Sequence, residues 1–91
     1  MSTNLLGYRI DTEIYHSKNA LVYRATRVID DTPVILKTPN NPNPPAEQIA
    51  QFEREFQLNQ ALALDGLVHI YELAYDDHRP VLAVEDFGGQ S

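Results

Sequence analysis

Residues 39–45 read PNNPNPP, four prolines in seven residues. Proline lacks a backbone donor and holds φ near one value, so neither a helix interior nor a central strand runs through such a stretch. The segment Pro39 to Pro45 therefore reads as a loop, and it divides the chain into two halves with different local preferences.

Three strand signals precede it. Tyr8, Ile10, Thr12 and Ile14 alternate with Arg9, Asp11 and Glu13, the two-residue period of a half-buried strand. Ala20 to Arg27 (ALVYRATR) is rich in β formers. Val34-Ile35-Leu36 follows Asp30-Asp31-Thr32-Pro33, a turn signal. After the prolines comes AEQIAQFEREFQLNQALALDG, dominated by helix formers with no internal Gly or Pro. Pro44 and Pro45 suit its start and Gly66 its stop. Two more strands are expected, His69 to Tyr75 and Val81 to Glu85, around a turn at Asp76 to Pro80. The expected order is β-β-β-α-β-β, a single α+β domain over residues 7–91 behind a six-residue tail.

Composition narrows the function. The net charge is −6, with seven basic against thirteen acidic residues, the wrong balance for neutralising a phosphate backbone, so nucleic acid is not an expected partner. There is no cysteine, hence no disulfide and no thiolate metal site. No apolar run reaches the ~20 residues of a membrane span, and MSTNLLGYRI does not read as a signal peptide. The expected location is the cytoplasm. His16, His69 and His78 sit on separate elements and form no metal constellation.

One residue on the helix is out of place. At about 100° per residue, Ile49, Phe52, Phe56 and Ala63 form one stripe, widened by Leu58 and Leu62, while Glu53, Arg54 and Gln57 fall opposite. Glu55 falls inside the apolar arc. An acid there is costly unless paired. Either it reaches the rim and is solvated, or it meets a specific cation. Lys37, at the end of the Val34 to Leu36 run, is the candidate.

The chain resembles the N-terminal lobe of a eukaryotic-type serine/threonine protein kinase, over residues 7–91. It is particularly similar to the kinase domain that opens large bacterial multidomain signalling kinases. Val34-Ile35-Leu36-Lys37 resembles the kinase V-A-I-K motif, with Ile35 where alanine is usual. Glu55 matches the helix glutamate that pairs with that lysine. Val22-Tyr23-Arg24-Ala25 matches the V-Y-x-A that follows the glycine-rich loop. The resemblance implies a five-stranded antiparallel sheet with the helix between strands three and four. It implies ATP with magnesium as cofactor, its phosphates contacted by Lys37, with Ile14, Tyr15, Ser17, Ala20, Val22, Ile35, Val84, Glu85 and Phe87 as further nucleotide-binding residues. Val84 would be the gatekeeper and Glu85 to Phe87 the hinge, whose backbone would bond adenine.

Asp86-Phe87-Gly88 spells the magnesium-binding D-F-G of kinases, but no H-R-D-L-x-x-x-N catalytic loop precedes it. The triplet is therefore read as hinge, and the metal ligands as absent. The glycine-rich positions hold Tyr15, Ser17 and Ala20, none of them glycine. Two readings stay open: the ATP-binding lobe of an active kinase, truncated and not catalytic alone, or a pseudokinase-like or small α+β interaction module. On the first, the partners are the kinase large lobe and further signalling domains, with a homodimer of the fragment through the face left exposed.

Overall fold

The computed structural model describes residues 3–16, 20–41, 43–62 and 69–86. Among these residues are six strands and one helix: β1 (Thr3–Leu5), β2 (Tyr8–His16), β3 (Ala20–Arg27), β4 (Thr32–Pro39), α1 (Ala46–Leu62), β5 (Ile70–Asp76) and β6 (Arg79–Glu85). All strand pairs are antiparallel, in the spatial order β1-β2-β3-β4-β6-β5.

The expected fold is thus corrected in two respects. The sheet has six strands, not five, and the helix follows the fourth strand, not the third. The added strand is Thr3–Leu5, inside the stretch read as a tail. It pairs with β2 from Thr3↔Ile10 to Leu5↔Tyr8. The proline segment also begins later than expected, because Pro39 closes β4 opposite Ala20. The expected helix stop at Gly66 lies outside the described residues.

The β1–β2 hairpin turns through Leu6 (φ 53°) and Gly7 (φ 86°). Two successive left-handed residues define the tight turn that matches strand twist, a site that favours Asn-Gly. Leucine is strained there, and its side chain is 42% exposed, so packing does not compensate. Leu6→Asn is expected to stabilise the fold by about 0.5–1 kcal/mol. Urea denaturation checks this, and a midpoint that falls would contradict it.

Two cores lie on opposite faces of the sheet. Tyr8, Ala25, Val34, Leu36, Val81 and Ala83 form the first, with Leu5, Ile10 and Tyr23 packed against it. Among the described residues no helix covers that face. It is buried because the sheet curls on itself into a half-barrel. The Tyr8 hydroxyl on β2 donates to Glu72 on β5, and the Arg27 guanidinium of β3 lies 4.9 Å from the Tyr71 ring of β5. Burial, then the bond to Glu72, push the Tyr8 hydroxyl well above its usual pKa. Phe52, Ile70 and Leu82 form the second core, with Phe56, Leu73 and Val84. This is the helix side.

Pro80 sits within β6, an interior strand, where proline is normally excluded. The β4–β6 ladder ends at Lys37↔Leu82, before Pro80 needs to donate. The buried Thr38 hydroxyl takes over, donating to the Pro80 carbonyl at 3.0 Å.

The helix stands on β5 and β6, and Phe52 is its one buried residue among those described. Its far end is clasped to the sheet edge: Gln60 Nε2 donates to Ile70 O at 2.8 Å, and Ile70 N donates to Asn59 Oδ1 at 3.0 Å. The Tyr75 hydroxyl donates to Glu53, which raises its pKa. Glu53 therefore faces the sheet, contrary to the wheel, and Leu58 and Leu62 are 54% and 53% exposed rather than packed. No helix among the described residues is long and apolar enough to cross a membrane.

Candidate functional site

Cross-strand partners share a sheet face, so the register assigns the expected site residues to faces. Val22 pairs with Lys37, and Lys37 with Leu82. Arg24 pairs with Ile35, and Ile35 with Val84. Tyr15 pairs with Val22. Leu82 and Val84 belong to the helix-side core. Tyr15, Val22, Ile35, Lys37 and Val84 therefore lie on the helix side, two positions apart along each strand, as strand periodicity requires.

Lys37 and Glu55 meet. Lys37 Nζ is 3.3 Å from Glu55 Oε2 and donates to it. The lysine is also 6.0 Å from the centre of the Phe52 ring. The pair borders an open cleft of about 770 Å³ between the first half of α1 and the ends of β3 and β4. Ala20, Lys37, Gln48, Gln51, Phe52 and Glu55 are among its walls. The volume lies within the range of small-molecule sites. Val22, Ile35 and Val84 share the sheet face without lining the cleft.

The expectation of a buried ion pair is corrected. The side chains of Lys37 and Glu55 are 39% and 46% exposed. The cause is the footing of the helix. Because α1 rests on β5 and β6, Lys37 on β4 is one strand beyond the helix and reaches Glu55 only at the cleft rim. An ion pair so exposed contributes at most about 1 kcal/mol to stability, which leaves the lysine available to a ligand at little cost.

The remaining expected residues divide. A register shift between Glu13 and Tyr15 makes Ile14 the extra residue of a bulge, and Ile14 and Tyr15 are 45% and 58% exposed. Ser17 and Phe87 lie outside the described residues. Glu85 pairs with Val34 on the opposite face. Its N–H donates to the His69 carbonyl at 2.8 Å, and its carboxylate accepts from the His69 N–H at 3.2 Å. The Glu85 N–H, expected to be free for a base, is thus engaged by His69. Asp86 has a structural partner: its carboxylate Oδ2 is 3.6 Å from Arg24 Nε.

The contacts of Arg24, Asn59, Gln60 and Glu53 are not legible in the sequence. Asn59-Gln60 near a helix end is a faint signal for a clasp. Arg24 carries none, because its partner is 62 residues away in sequence and two strands away in the sheet. Neither models of known protein families nor curated proteins match the chain.

Proposed function

We propose that this chain is the nucleotide-binding lobe of a serine/threonine protein kinase of the bacterial multidomain type, working in the cytoplasm. The observation that carries the reading is the Lys37–Glu55 contact, a strand lysine and a helix acid 3.3 Å apart beside a cleft of ligand size. A lysine held by a carboxylate is a pre-positioned hydrogen-bond donor to phosphate, and charge-assisted bonds to phosphate are roughly twice as strong as neutral ones. On this reading Lys37 contacts the phosphates of ATP, Glu55 aims it, and the apolar side chains Val22, Ile35 and Val84 on the same sheet face meet the base. ATP carries the transferable phosphoryl group and magnesium screens its charge. The catalytic base and metal ligands belong to a large lobe, with further signalling domains beyond it. The exposed Leu58 and Leu62 then lie on a surface available to that lobe or to a second copy of the chain.

A second reading has its own support. Tyr15, Ser17 and Ala20 stand where glycines let a backbone close on phosphate. That favours a pseudokinase-like or interaction module with weak nucleotide binding.

The face assignment tests the proposal. In an NMR titration with Mg·ATP, amide shifts are expected at Val22, Ile35, Lys37 and Val84. Those in the opposite core, Ala25 and Val81, should stay fixed. Shifts spread evenly over both faces, or none at millimolar nucleotide, would remove the reading.

A further inference from the structure

Tyr8 on β2 and Arg27 on β3 are cross-strand partners, so their side chains share one sheet face, that of the first core. Both are met there by β5. The Tyr8 hydroxyl donates to Glu72, and the Arg27 guanidinium lies 4.9 Å from the centre of the Tyr71 ring. Strict strand alternation would send Tyr71 and Glu72 to opposite faces. The β5–β6 register slips between Ile70 and Glu72, and this irregularity lets both neighbours reach the same side. Bulges re-aim side chains in this way and recur beside functional sites. The result is an open cavity of about 250 Å³, lined among the described residues by Tyr8, Arg27, Tyr71 and Glu72. It shares no lining residue with the Lys37 cleft.

The guanidinium of Arg27 is held in place, with Nη1 3.4 Å from Asp30 Oδ2 and the Tyr71 ring beside it. Its Nε is buried and, among the described residues, has no hydrogen-bond partner. A buried N–H without an acceptor is costly, and such a group calls for an explanation in the form of a ligand or a water. The other charged group on the cavity wall is the Glu72 carboxylate. A simple anion would satisfy Arg27 but would meet two acids, Glu72 and Asp30, around one cation. A simple cation would suit Glu72 but leave Nε without an acceptor. A ligand with a carboxylate and an ammonium a few atoms apart meets both demands.

We propose that this cavity binds a free α-amino acid as its zwitterion, with the carboxylate on Arg27 Nε and the ammonium on the Glu72 carboxylate. The volume falls just below the range of about 300–1,000 Å³ for drug-sized ligands, which suits one small molecule. The guanidinium keeps its charge at any working pH and presents its donors in a rigid fork that matches a carboxylate. The site does not depend on the nucleotide reading, which concerns the other face of the sheet.

NMR titrations of the whole chain with alanine, acetate and methylammonium test it, the last two each carrying one half of the ligand. Alanine is expected to give saturable shifts at the Tyr8, Arg27, Tyr71 and Glu72 amides and none at Lys37 or Glu55. Acetate and methylammonium should bind at least about tenfold more weakly. Glu72→Gln removes the charge but keeps an acceptor for the Tyr8 hydroxyl. It should weaken alanine about tenfold and strengthen acetate, because a repelling acid is gone. Arg27→Lys keeps the charge and loses Nε, so alanine and acetate should both weaken while methylammonium stays within about twofold of native. Acetate that binds the native chain as tightly as alanine overturns the zwitterion. Glu72→Gln that weakens alanine and acetate alike shows Glu72 to be structural and overturns its role toward the ammonium. No shift at the four amides through tens of millimolar alanine leaves Nε to water and overturns the site. If either variant fails to fold, the comparison of the three ligands on the native chain still decides.

Discussion

Phe52→Ala is expected to cost about 3–4 kcal/mol and to release the helix from the sheet. The side chain is 6% exposed and packs with Ile70 and Leu82. Truncating a buried aromatic removes its transfer free energy and leaves a cavity, typically about 3–5 kcal/mol together. Leu58 and Leu62 face solvent. What remains are the partly buried Phe56 and the Asn59 and Gln60 bonds to Ile70 and the Tyr75–Glu53 bond, the bonds worth about 1 kcal/mol each. In a domain of this size the loss corresponds to a melting temperature lower by roughly 12–32 °C. Helical ellipticity should fall earlier than the near-ultraviolet signal of Tyr8 and Tyr23 on the other face. A loss below about 1 kcal/mol would mean that the helix is docked by something other than Phe52.

Lys37→Met separates binding from folding. The lysine is 39% exposed and its acid partner 46%, so stability should change by less than about 1 kcal/mol. Methionine keeps the apolar stem over Phe52 and removes only the charge. A lost charge-assisted bond to phosphate is worth about 1.5–3 kcal/mol, so ATP should bind about 10- to 100-fold more weakly. Adenosine affinity should stay close to native. A large loss of stability would show that the pair is structural, and an equal loss for adenosine and ATP would show that the lysine shapes the cleft rather than serving phosphate.

The fold and the candidate site are not equally legible in the sequence. The alternation in Tyr8 to Ile14 and the apolar run Val34 to Leu36 point to strands because a strand's period is local. The wheel left Glu55 open between a solvated rim position and a cation partner, and the structure shows both: it contacts Lys37 and is 46% exposed. Thr3–Leu5 could not be read: three residues without alternation become a strand only through their partner, across a turn whose leucine opposes the usual turn chemistry. Missing it displaced the strand count and the place of the helix. The exposure of the ion pair and of Leu58 depends on which strands the helix stands on, a tertiary fact that the wheel does not hold. The curl of the sheet rests on Tyr8 and Glu72, 64 residues apart, and the Arg24–Asp86 pair on the exact register of three strands.

The central claim is that the Lys37 cleft takes a nucleotide, and calorimetric titration of Mg·ATP into the native chain tests it most directly. The account predicts one saturable site with a dissociation constant of about 1 mM or tighter, at least about 4 kcal/mol of binding free energy, and its loss in Lys37→Met. Featureless heats through several millimolar nucleotide, or identical isotherms for the native chain and Lys37→Met, would contradict it.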